Sequence, residues 1–161
     1  MQTDIIAILP EMVRGKGIYS RIYREGNVEI DSRHPALFLK NFYQERGKSK
    51  KEVDKKIKKD YQIQRNIPYQ IDANHVFFAF KLRETDIEEN NRAFINVKYI
   101  REIKDNRIIL ISGEEIKTLN QYKSLRDNRN LARSLLLEEI LTQSLSREST
   151  LRYMTGYLKM E

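Results

Sequence analysis

The spacing of apolar positions changes character three times along the chain. The opening run DIIAILP is continuously apolar and predicts a first strand, ended by Pro10, which lacks a ladder N–H. In GKGIYSRIYREGNVEI, residues 15–30, Ile18, Ser20 and Ile22 alternate, Glu25-Gly26-Asn27 turns, and Val28 and Ile30 resume, which predicts a hairpin. The period then lengthens. DSRHPALFLKNFYQERG, residues 31–47, predicts a helix with Asp31 or Ser32 as cap, Pro35 in its first turn and Gly47 as its stop. Leu37, Phe38 and Phe42, with Leu39 and Tyr43, form its buried stripe, so the aromatics read as core and not as a stacking platform. Ser49 and Glu52 then have capping-box spacing, and Val53, Ile57 and Tyr61 make a narrow seam on the helix that follows.

Past Pro68 the period shortens again. HVFFAFKL (75–82), AFINVKYIREIK (93–104), RIILIS (107–112) and EIKTL (115–119) read as strands. A polar stretch from Asp86 to Asn91 and the dipeptides Asp105-Asn106 and Ser112-Gly113 supply turns, and the whole predicts an antiparallel meander. A helix returns from Ser124 to about Ser146. Leu125, Ala132, Leu135, Leu136, Ile140 and Leu141 form its apolar face, and Arg126, Arg129 and Arg133 lie on another side. With Leu131, Leu137 and Leu145 it is apolar on more than one stripe, which predicts burial within its own domain ahead of a subunit interface. The final STLRYMTGYLKM is a short amphipathic helix or a tail interrupted at Gly156. The expected class is α+β: antiparallel sheets, a central basic helical segment and a long C-terminal helix. Residues 1–146 form one domain, and 147–161 a tail or short helix of regulatory character.

Composition narrows the chemistry. A chain of 161 residues, 40% hydrophobic and 33% charged, suits one domain with a real core. No cysteine is present, which removes disulfides and thiolate chemistry. The apolar IIAILP is too short for a signal or a membrane span, so a cytoplasmic location is expected, without membrane attachment. Net charge is +7, and it is concentrated: Arg46 to Lys59 hold eight Lys and Arg against Glu52 and Asp54. Clustered cations displace counterions from a phosphate backbone, which points to nucleic acid. Arg46, Lys48, Lys50, Lys51, Lys55, Lys58 and Lys59 are the candidate phosphate and groove contacts, and the amides of the helix starting at Ser49 can meet a phosphate.

No catalytic set emerges, and neither metal nor cofactor is expected. His34 and His75 lack a partner at metal-ligand spacing and read as structural. Glu84, Asp86, Glu88 and Glu89 lack the alternating oxygens and central glycine of a calcium loop. RGKGIY and SGEE are not phosphate-cradling loops, and RSLLL offers a serine without a base.

From Ala93 to Leu125 the sequence resembles the ComK family of competence transcription factors. Phe94-Ile95-Asn96, Tyr99-Ile100, Ile108-Ile109, Ser112-Gly113 and Leu119 follow that family's order. Upstream, Leu9-Pro10-Glu11, Phe42-Tyr43, Ser49-Lys50-Lys51, Pro68 and Phe77-Phe78 match as well, so the likeness spans roughly residues 5 to 128. It departs where the family has Trp at Phe94, two prolines around Pro68, and Asn-Gly in place of Ser112-Gly113. The resemblance implies an activator that reads paired A·T-rich boxes of duplex DNA through the minor groove as a homodimer or higher oligomer. It also implies proteolytic control by an adaptor at the C-terminal region. Two other readings stand beside it: a protein-interaction module for an acidic protein surface, and a LytTR-type major-groove reader, whose spacing fits Phe94 to Leu119 less well.

Overall fold

The computed structural model describes residues 2–82 and 92–159, with side chains described to Gly156. The carboxylates expected at a turn (Glu84, Asp86, Glu88 and Glu89) lie outside the described residues. The remaining elements confirm an α+β chain. A six-stranded antiparallel sheet contains β1 (Ile5–Val13), β2 (Gly17–Arg24), β3 (Asn27–Asp31), β4 (Tyr69–Asp72), β5 (His75–Lys81) and β6 (Arg92–Asn96). Their order across the sheet is β3-β2-β1-β6-β5-β4. Among the described residues, two three-strand meanders are therefore joined by the β1–β6 pair, through Ala7 opposite Ile95 and Ile8 opposite Phe94.

Because successive side chains of a strand point to opposite faces, Phe77 and Phe94 serve one layer while Val76, Phe78, Phe80 and Ile95 serve another. The first face is covered by α1 (Pro35–Glu45), whose Phe38, Leu39, Phe42 and Tyr43 meet Ile8, Ile22 and Phe77. The second is covered by the beginning of α3 (Tyr122–Lys159) and by a small sheet. That sheet is β7 (Ile100–Lys104), β8 (Arg107–Leu110) and β9 (Glu115–Lys117). Leu125, Ala132 and Leu135 of α3 are fully covered. Each large side chain buried in these layers stabilises the fold by about 1.5–3 kcal/mol.

Four local expectations are revised. The first strand does not stop at Pro10 but runs to Val13. β2 pairs with β1 as far as Val13, with Pro10 opposite Ser20, whereas among the described residues β6 pairs with it at Ala7 and Ile8 and not beyond. At Pro10, β1 is therefore an edge strand on that side, where proline is tolerated. Helix α1 is capped neither by Asp31 nor by Ser32: His34 Nδ1 accepts the Leu37 amide, while Asp31 binds the Arg33 guanidinium. Leu37, placed in the buried stripe, is exposed. The run from Ala93 to Lys104 is not one strand. Asn96 breaks it: its Oδ1 accepts the Lys98 amide, opening a 3₁₀ turn at Val97–Tyr99 that carries the chain into the second sheet. The Asn96 amide group also donates to the Ile5 and Asn74 carbonyls at 2.9 and 2.7 Å, so the corner has its hydrogen bonds although it is buried.

The helix expected over 124–146 and the separate final piece are one continuous helix of 38 residues, uninterrupted at Gly156. Its second apolar stripe is not buried in the domain either; from Ile140 through Gly156 every residue is exposed. Among the described residues no helix is long and apolar enough to cross a membrane.

Candidate nucleic-acid interface

The basic segment is built around two helix ends. At the end of α1, Gly47 takes φ +73°, its amide donates to Gln44 O at 3.0 Å, and the Lys48 amide donates to Tyr43 O at 3.1 Å. Those two bonds define a Schellman stop, which needs a left-handed residue and therefore favours glycine. Two residues on, the Ser49 hydroxyl accepts the Glu52 amide at 3.5 Å and starts α2 (Lys50–Tyr61). Ile57 is buried, and Val53 and Tyr61 are half-buried beside it. The narrow seam read from the sequence is the docked face. Tyr61 also donates to Glu138 of α3 at 2.6 Å; that carboxylate, with burial, pushes the phenol up to about 12.

At about 100° per residue, Lys51, Lys55, Lys58 and Lys59 fall within roughly 100° of one another, on the side turned away from the seam. All four are exposed, and among the described residues no carboxylate pairs with them. The other candidates are held differently. Lys50 projects toward the seam side, where its ammonium meets Asp54 and lies 4.8 Å from the centre of the Tyr69 ring. Lys48 binds Glu139 of α3 at 2.9 Å. Arg46 lies 3.8 Å from Asp72 and stacks over Phe42. The eight-residue candidate set thus divides into a free strip (Lys51, Lys55, Lys58 and Lys59), the Ser49 cap, and three cations that tie α1 and α2 to the body.

Beneath Lys50 lies a small buried polar cluster. Among the described residues the Tyr43 hydroxyl and Asp54 Oδ1 have no hydrogen-bond partner, and burial, reinforced by the Asp54 carboxylate, raises Tyr43 far above a normal phenol. Lys50 is therefore the counter-charge of a largely covered Asp54. A lysine so held is structural before it is available to a ligand.

Two cations were missed by sequence reading. Lys40, on the last full turns of α1, joins Gln44, Lys48, Ser49 and Lys51 around a cleft of about 380 Å³ at the start of α2. The signal was its helical spacing to Gln44 and the Gly47 stop. Lys56 is exposed on α2 but off the strip. Arg14 and Lys16 sit exposed at the β1–β2 turn, the opposite end of the large sheet from Arg46. Arg129 is no surface cation: its guanidinium donates to the Ile100 and Arg101 carbonyls, and burial, with Arg133 nearby, lowers its pKa.

The histidines are structural in placement. His75 is buried, its Nε2 accepts the Ile5 amide at 3.0 Å, and its Nδ1 lies 3.0 Å from Asp72. An acceptor Nε2 leaves the proton on Nδ1, facing the carboxylate. Asp72, three residues before His75, reaches it across the tight β4–β5 turn, a pairing that sequence reading for metal-ligand spacing passed over.

Compared with known proteins, no family model, no curated protein and no solved structure matches the chain.

Proposed function

We propose that this chain is a sequence-selective DNA-binding transcriptional regulator, an activator of the ComK type that acts in the cytoplasm on A·T-rich boxes. The observation that carries this reading is the strip of four exposed lysines, paired with no carboxylate among the described residues, on a capped, docked helix. Lys51 to Lys58 spans about 10 Å of helix, and duplex DNA presents one charge per ~1.7 Å of its axis, so the strip meets several phosphates at once. A·T tracts narrow the minor groove and deepen its negative potential, which favours long, flexible cations of this kind. The α2 amides and the Lys40–Lys51 cleft extend the contact at one end. The resemblance over residues 5 to 128 supplies the paired boxes, the oligomer and the adaptor-directed proteolysis as parts of the same reading.

In-vitro selection from random duplex DNA, using the full chain, tests it. The expected outcome is enrichment of two A·T boxes at a fixed helical phase, with weaker binding to G·C-rich duplex and to RNA. If no nucleic acid is retained at moderate salt, the reading fails and a module for an acidic protein surface takes its place.

A further inference from the structure

We infer that the free half of α3 is a self-pairing surface that joins two copies of this chain in antiparallel orientation. After the contacts of Glu138 with Tyr61 and Glu139 with Lys48, the helix leaves the body and continues for twenty more residues, about 30 Å. A helix this far from any core is expected to be polar all round. This one is not. Leu137, Ile140, Leu141, Leu151 and Met154 are 42–64% exposed and fall within an arc of about 140°. The centre of that arc lies roughly 110° around the axis from that of the docked stripe of Leu125, Ala132, Leu135 and Leu136; Met154 continues the line of Leu136, and the rest of the arc is turned progressively off the chain's own core.

The occupant follows from the layout of the stripe. Heptad spacing puts Leu137, Ser144 and Leu151 at one seam position and Ile140, Arg147 and Met154 at the other. A parallel pair would set Arg147 against Arg147 inside the seam and the Glu138–Glu139 ends against each other. An antiparallel pair about a two-fold near Leu145 sets Leu137 against Met154 and Ile140 against Leu151, and faces Arg147 with Ser144. It also brings Glu139, which holds Lys48 of its own copy, beside Arg152 of the other copy, which holds Glu148 of its own, so that end joins two ion pairs in place of setting like charges together. The surface is thus complementary to itself under one closed symmetry, as an isologous interface requires. The four apolar seam side chains and the flanking Leu141, at roughly 60–120 Å² each and contributed twice, cover roughly 600–1,200 Å², the range of a weak, reversible association. The pairing is therefore concentration-dependent. It stands whether or not the chain binds DNA.

Sedimentation velocity of the full chain across the micromolar range tests the association, and thiol cross-linking tests its direction. The chain has no cysteine, so Leu137→Cys and Met154→Cys each introduce a single thiol. The expected results are a monomer–dimer shift with concentration and a mixed disulfide when the two single-thiol chains are combined. The double variant Ile140→Glu, Leu151→Glu should stay monomeric with unchanged circular dichroism and urea midpoint, since both side chains are exposed in one copy. A disulfide of the Leu137→Cys chain with itself would overturn the antiparallel arrangement. A chain that is monomeric throughout, or a double variant that still dimerises, would overturn the pairing and leave the face to another protein.

Discussion

Replacing Lys51, Lys55, Lys58 and Lys59 together with Gln removes the free strip without touching the seam or the cap of α2. Each phosphate neutralised by a lysine contributes about 0.9 to the slope of log K against log salt, so four contacts contribute about 3.6. Between 50 and 200 mM salt, a slope of that size is worth roughly 150-fold in affinity. The wild-type chain should lose that factor, beyond whatever its remaining contacts contribute, and the quadruple variant should not. Fluorescence anisotropy with a labelled A·T-rich duplex, repeated at several salt concentrations, reads the slope directly. The internal control is Lys48→Gln with Lys50→Gln, which removes the same kind of charge from the same segment. These two ammonium groups are engaged by Glu139 and Asp54, so their loss should leave most of the slope. It should instead cost about 1–3 kcal/mol of stability, because Asp54 is left largely covered without its counter-charge. Equal loss of slope in the two variants, or a full slope in the quadruple variant, would refute the division of the segment into free and structural cations.

Other outcomes can be measured without DNA. Phe94→Ala should lower stability by about 3–5 kcal/mol in urea denaturation, since the ring is fully buried against Tyr69. Phe94→Trp, the residue of the resembled family, should cost about 1–3 kcal/mol by overfilling that site. Gly47→Ala has open space for its Cβ but must hold φ +73°, so a loss of about 1–2 kcal/mol in the thermal or urea midpoint is expected. Burial alone would raise Asp72, but hydrogen bonds from His75 and the Asn74 amide hold its carboxyl below the ordinary value. A depressed folded-state value means stability is present above about pH 4 and lost as pH falls through the lower value. Asp72→Asn should flatten the acid limb of urea midpoint against pH, and an unchanged limb would contradict that placement.

What the sequence disclosed depended on whether the cause was local. The α2 seam and its Ser49 cap rest on residues three and four apart, and they were readable. So was the Glu25–Asn27 turn, where Gly26 takes φ +69°. The division of the basic segment was not, because it depends on Glu139 and Asp72, brought in from α3 and β4. The break at Asn96 was hidden for the same reason: Ile5 and Asn74, far away in the chain, accept its amide protons. The two-sided apolar pattern of α3 was visible, but periodicity does not say where a body ends. Leu136 and Leu137 are neighbours in sequence, and only the first has a core to enter.

The single β1–β6 seam sets the order in which the chain can become a protein during synthesis. Ile8 emerges well before the strand that covers its outer edge, which lies about ninety residues later. Closing so long a loop is entropically slow and precedes any reward from the contact. Until Asn96 has left the ribosome, the amino-terminal hairpins remain a sheet with an open flank, exposed to association with other nascent chains. Truncations ending before residue 92 should therefore accumulate as aggregate and not as a smaller folded unit.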